Sequence, residues 1–140
     1  MYAEQGRKED AEDRLNEAVA MLETTTGSNT AAVAGTLSNL AEMYMQQGRL
    51  EEAGPMLRRA IRIWEVELDG RHPAVARALS QLALIELEQG HLKEAEALQR
   101  RSVAILERAM GQAHPDLATA RVNLALIHEA QRTGAAGNPL

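Results

Sequence analysis

The chain contains no cysteine. Disulfides, thiolate nucleophiles and cysteine-ligated zinc are thereby excluded. Phenylalanine is absent too, and Trp64, Tyr2 and Tyr44 are the only aromatic residues. A core must therefore rest on Leu, Ala, Ile, Val and Met, which suits close contact between helices. Nowhere do Val, Ile and Thr alternate with polar residues, so strands find no support. No apolar run approaches the roughly 20 residues of a membrane span. The opening residues, Met1-Tyr2-Ala3-Glu4-Gln5-Gly6-Arg7, hold no apolar signal segment, and a cytoplasmic location is the expectation. Positive charge is in short supply. Fifteen Lys and Arg stand against 20 Asp and Glu, a formal charge of −5. That balance argues against nucleic acid and against an anionic membrane surface as partners.

What the chain does have is a period. Gly6, Gly48 and Gly90 are spaced 42 residues apart, as are Ala11, Ala53 and Ala95. His72-Pro73 returns as His114-Pro115 at the same spacing, and Asn39-Leu40-Ala41 returns as Gln81-Leu82-Ala83 and Asn123-Leu124-Ala125. A fixed period in this range marks a solenoid, in which each unit buries its face only against its neighbours. At 140 residues the chain reads as one domain.

Each period reads as two helices. In the middle period, Pro73 suits a first helical position, where its missing N–H costs nothing. Val75, Leu79, Leu82, Ala83 and Leu87 then recur at helical spacing. Gln89-Gly90 stops the helix, glycine being suited to a left-handed C-terminal position. Leu92, Ala95, Leu98, Ser102, Val103 and Leu106 form the stripe of the second helix. Applied throughout, the pattern predicts an all-α fold of about six antiparallel helices near residues 7–24, 30–47, 49–68, 73–89, 91–110 and 115–131. The domain spans 1–132, in units of about 1–29, 30–71, 72–113 and 114–132, with a flexible tail over 133–140. Met1-Tyr2 aligns with Met43-Tyr44, so the first unit begins near the end of its first helix, and the last unit has no second helix. Arg121 and His128 stand where the preceding unit has Leu79 and Glu86, as would suit a capping helix. Trp64 shares its register with Leu22 and Leu106 and is expected in the core. Ala41, Ala53, Ala83 and Ala95 fall where helices cross closely.

The repeated residues carry a resemblance. Leu37-Ser38-Asn39-Leu40-Ala41, Tyr44, Gln47-Gly48 and Leu50-Glu51-Glu52-Ala53 match a known pattern, as do Leu79-Ser80-Gln81-Leu82-Ala83, Gln89-Gly90 and Lys93-Glu94-Ala95. So does the linker Met110-Gly111-Gln112-Ala113-His114-Pro115. The chain resembles the tetratricopeptide repeat in its 42-residue, kinesin-light-chain-like form. It departs from that pattern at Asp69, at Glu86 where Tyr44 sits, at Gly54-Pro55, and at Gln99 where Leu57 sits.

The resemblance implies a right-handed solenoid whose first helices line a concave groove, and a scaffold that holds an extended or helical segment of a partner protein there. Counted off the buried Leu40/Ala41 set, the groove positions include Ser38, Asn39, Glu42 and Met45, then Arg77, Ser80, Gln81, Leu84, Leu87 and Glu88, then Thr119, Val122, Asn123 and Leu126. In the resembled family the paired amide positions, here Ser38-Asn39, Ser80-Gln81 and Val122-Asn123, hydrogen-bond a peptide backbone, since an amide both donates and accepts. The apolar positions and the acidic Glu42 and Glu88 favour a segment with Leu or aromatic anchors and some basic residues. The second expectation is an assembly module that self-associates through open helical ends around Leu15, Val19 and Leu22.

Chemistry finds little to stand on. His72 and His114 repeat with the linker, which is a helix-start role. His91 follows Gly90, and His128-Glu129 lacks the second histidine of a zinc helix. Glu51-Glu52 and Glu94/Glu96 read as solvated faces, and no histidine base is placed for Ser80 or Ser102. Thr24-Thr25-Thr26-Gly27-Ser28 lacks the Gly-Lys-Ser/Thr end of a phosphate loop. Neither catalysis nor a cofactor or metal is expected.

Overall fold

The computed structural model describes residues 2–26, 30–68, 72–110 and 115–134. The described residues form six helices and no strand. These are α1 (Tyr2–Thr26), α2 (Ala31–Gln46), α3 (Leu50–Glu67), α4 (Pro73–Glu88), α5 (Leu92–Met110) and α6 (Pro115–Thr133). The all-α repeat architecture read from the period is therefore present. Residues 135–140 of the expected tail, and the linker residues Asp69 and Gly111 to His114, lie outside the described residues.

Local chemistry explains the helix ends. Thr30 caps α2, its side chain accepting from the Val33 amide at 3.4 Å. His72 caps α4 through Nδ1, which accepts from the Ala74 amide at 3.1 Å, and Pro73 opens the helix behind it. The two α-to-α turns are built alike. Gly48 and Gly90 sit at φ 76 and 84, the left-handed region that favours glycine. The Gly48 amide bonds the Met45 carbonyl at 3.0 Å and the Arg49 amide bonds that of Tyr44 at 2.8 Å. Gly90 and His91 repeat the pair onto Leu87 and Glu86, at 3.1 and 2.8 Å. Such crossed bonds satisfy carbonyls that a helix end leaves open.

Gly6 breaks the expectation. Its register called for the same turn and a helix starting at Arg7, yet α1 runs unbroken from Tyr2 to Thr26. Nucleating a separate helix is costly, and five residues are too few for one. Extending α1 through Gly6 satisfies their backbone at the modest cost of a mid-helix glycine, about 1 kcal/mol.

By its contacts the chain divides into two compact units, residues 1–67 and 68–140. In the first, α2 packs against both α1 and α3. Leu40, Leu57, Ala60 and Trp64 are buried there, so Trp64 is a core residue as expected. In the second, α5 packs against α4 and α6, and α4 also touches α6. Ala83, Ala95 and Ile127 form a fully buried cluster there, flanked by Leu87 and Leu98. Ala41, Ala53, Ala83 and Ala95 are all at 0 % exposure, the close-approach positions that the period picked out.

Polar joints back the apolar ones. In the first unit the Glu12 carboxylate on α1 accepts from the Tyr44 hydroxyl at 2.8 Å and from Arg49 at 2.9 Å. Arg49 also lies 4.1 Å over the Tyr44 ring. Burial, and then the Glu12 carboxylate, push the Tyr44 hydroxyl above its ordinary value. In the second unit Glu96 on α5 accepts from Gln131 and His128 on α6 at 3.0 and 3.1 Å, and from Arg100 at 2.9 Å. Arg121 reaches back from α6 to Glu107 at 2.8 Å. Both residues that depart from the repeat on α6, Arg121 and His128, thus fasten it to α5.

These donors, Gln131 first and then Arg100 and His128, pull the Glu96 carboxyl down to about 2 from its ordinary 4.5. A folded-state value below the unfolded one stabilises the fold above the unfolded value. That contribution is present above pH 4.5 and disappears as pH falls towards 2. Denaturant titrations through this window should show the wild type losing stability faster than Glu96→Gln, which cannot titrate. Parallel curves would remove Glu96 from the acid response.

Candidate functional site

α4 uses one face for packing, with Val75, Ala76, Leu79, Leu82 and Ala83 at or below 1 % exposure. A helix turns 100° per residue, so Arg77, Ser80, Gln81 and Leu84 rise on a different side. On α6 the residues Asp116, Thr119, Ala120 and Asn123 share the same helical spacing. The two rows and Leu106 of α5 line one cleft of about 440 Å³. That volume lies within the range of small-ligand sites.

A hydrogen-bonded relay lies behind the α4 wall. Gln99 of α5 is fully buried and its Nε2 donates to Ser80 Oγ at 2.7 Å. Ser80 and Ser102 hydroxyls meet at 2.7 Å, and Ser102 donates to the Ala76 carbonyl at 2.8 Å. A hydroxyl has one proton. Ser102 uses its proton on Ala76, so the proton between the two serines comes from Ser80. The relay therefore runs Gln99 to Ser80 to Ser102 to Ala76. Two acceptor atoms remain without a hydrogen-bond partner among the described residues, Oε1 of Gln81 and Oε1 of Gln99, both shielded from solvent.

Of the residues singled out from sequence, Arg77, Ser80, Gln81, Leu84, Thr119 and Asn123 meet on this cleft. Glu88 is exposed near the end of α4, and Leu126 is 53 % exposed on α6. Ser38, Asn39, Glu42 and Met45 lie on α2 in the other unit, Asn39 exposed and the rest half-buried. Sequence reasoning missed Leu106, Asp116 and Ala120 as lining residues. Leu106 belongs to the second-helix stripe and is 3 % exposed, and it also lines the cleft. Asp116 and Ala120 carried no signal beyond their places either side of Leu117.

The three described histidines have local duties. His72 caps α4, His91 pairs with the buried Glu86 at 2.6 Å, and His128 pairs with Glu96. Among the described residues no group of three His, Cys, Asp or Glu side chains is arranged to hold a metal ion. No helix among them is long and apolar enough to cross a membrane.

Comparison with known proteins agrees with this architecture. The tetratricopeptide repeat model matches residues 32–108. Among solved structures, BtubC (BKLC) from P. vanneervenii is similar at 25 % identity and a TM-score of 0.79, over 93 % of this chain and 52 % of that one. The putative kinesin light chain nearly identical TPR-like repeats of Podosopora anserina are similar at 25 % identity and a TM-score of 0.80, over 93 % of this chain and 62 % of that one. A singly substituted form of the same repeats gives 26 % and 0.81, over 93 % and 61 %. The chain thus spans 52 to 62 % of the length of these structures. No curated protein matches it.

The relay makes a stability prediction. Ser102→Ala strands the Ser80 proton and the Ala76 carbonyl and should cost about 1 kcal/mol. Adding Ser80→Ala and Gln99→Leu replaces every polar side chain of the relay and removes the unpartnered Gln99 Oε1. The triple variant should recover the loss in chemical denaturation, because an apolar replacement of a whole buried network is close to neutral. A triple variant no more stable than the single would show that the relay is not the cause.

Proposed function

The chain belongs to the tetratricopeptide repeat family, and we propose that it binds a peptide segment of a partner protein in the cleft between α4 and α6. Repeats of this family generally mediate protein–protein interaction. The observation that carries the finer reading is that the amides Gln81 of α4 and Asn123 of α6 line one cleft of about 440 Å³ together with the apolar Leu84 and Leu106. An apolar floor with a few converging polar groups holds an apolar anchor and orients the chain around it. Peptides selected from a random display library against the whole protein should divide accordingly. Those that bind the cleft should lose about tenfold in affinity, near 1.4 kcal/mol, on Leu84→Glu or on the double change Gln81→Ala, Asn123→Ala. Selected peptides indifferent to all three changes would place binding elsewhere.

A second reading, self-association through α1, has one observation in its favour. Met21 is 70 % exposed, whereas Ile63 and Ile105, its counterparts one and two periods later, are 4 % and 5 % exposed. A register that is covered in the later repeats and open on α1 is where a second copy would pack. Light scattering across a wide concentration range should then give a mass that rises above 15.3 kDa and returns to it in a Met21→Glu variant. A constant 15.3 kDa would discard this reading.

A further inference from the structure

We propose that α6 of one copy of this chain packs against α1 of another copy, in the way that α4 packs against α5 within a copy. This rests on the second reading above, self-association through α1, and names the surface that α1 meets.

Contacts in the second unit define the face that α4 turns to α5. The Ala76 carbonyl accepts from Ser102, Ser80 meets Gln99 and Ser102, and Ala83 clusters with Ala95. Ala76 and Ala83 are at 0 % exposure, as are Ala34 and Ala41 in the same registers of α2. One period later α6 carries Ala118, Val122 and Ala125 where α4 has Ala76, Ser80 and Ala83. All three are exposed, and Leu126 beside them is 53 % exposed. The face keeps the small residues that admit a close helix, yet it lies open. A helix that caps an array against water carries a polar outer face. Here the serine of the earlier registers is instead Val122, 58 % exposed.

The matching half is on α1. Its register is that of α3 and α5, with Leu15 and Ala18 where α5 has Gln99 and Ser102. Both positions are fully buried in α5, and in α3 as Leu57 and Ala60. On α1 both are half-buried. Met21, one turn beyond Ala18, is 70 % exposed.

These two open faces suit each other register by register. At the α4–α5 crossing Ser80, Gln99 and Ser102 must satisfy one another's hydrogen bonds. The same crossing made by α6 and α1 sets Val122 against Leu15 and Ala18, all apolar. No hydrogen bond has to be completed there, and burial favours association. Ala118 and Ala125 allow the axes to approach as Ala76 and Ala83 do. A second copy is therefore the occupant whose helix the repeat already fits. The contact joins two different faces, so it is heterologous and propagates until a ring closes.

The test is light scattering on the whole protein, on Met21→Glu, on Val122→Glu and on an equal mixture of the two variants. Both substituted side chains are exposed, so circular dichroism and melting should match the wild type. The wild-type mass should rise with concentration, and each variant alone should stay at 15.3 kDa. The mixture should reach twice that mass, because one variant keeps its α6 face and the other its α1 face. A Val122→Glu protein that associates like the wild type overturns the proposal and leaves self-association through α1 standing. A mixture that stays at 15.3 kDa while the wild type associates also overturns it, since the two changes would then block one shared surface. A constant wild-type mass, or association undiminished by Met21→Glu, removes both the proposal and the reading beneath it.

Discussion

The fold depends on helices coming close enough that only alanine fits between them. Ala41 and Ala53 in one unit, Ala83 and Ala95 in the other, have no accessible surface at all. With three aromatic residues in the chain, there is little bulk to wedge helices apart or to fill gaps between them. Leu40, Leu57, Leu79 and Leu82 can pack to full burial because the axes are held near by these small residues. The tight Gly48 and Gly90 turns serve the same end, returning the chain at once to pair each helix with the one before it.

On that apolar frame the chain repeats one polar joint. Glu12 and Tyr44 recur two periods later as Glu96 and His128, and both pairs are hydrogen-bonded between a second helix and the following first helix. The intermediate register carries Gly54 and Glu86 instead, and Glu86 turns to His91 within its own unit. A position can thus keep its place in the repeat while its partner changes. The departures from the repeat are where specific polar contacts have been built: Glu86 with His91, Gln99 with Ser80, Arg121 with Glu107, His128 with Glu96.

The candidate site grows from one of those departures. Gln99 occupies the register of Leu57, and a leucine there would leave Ser80 without its incoming hydrogen bond. The buried amide donates to Ser80, while the direction of the rest of the relay follows from Ser102, which donates to the Ala76 carbonyl.

How much of this was legible beforehand follows from the range of each interaction. The period, the helix pairs, the glycine turns, the His72 cap, the buried alanines and Trp64 could all be read from sequence. Each depends on backbone geometry or on apolar spacing within a few residues. The continuity of α1 through Gly6 could not be, because the repeat register predicted a turn where the cost of nucleating a short helix ruled. Nor could the relay, the reach of Arg121 and His128 back to α5, or the lining of the cleft by Asp116 and Leu106. Those depend on whether two side chains 14 to 32 residues apart end within hydrogen-bond reach, or on one wall of a shared space. Sequence by itself determined that this chain is a series of paired helices with a face to spare. Only the tertiary structure decided which residues share that face and which of their atoms still lack a partner, because hydrogen bonds are directional and fail within an ångström.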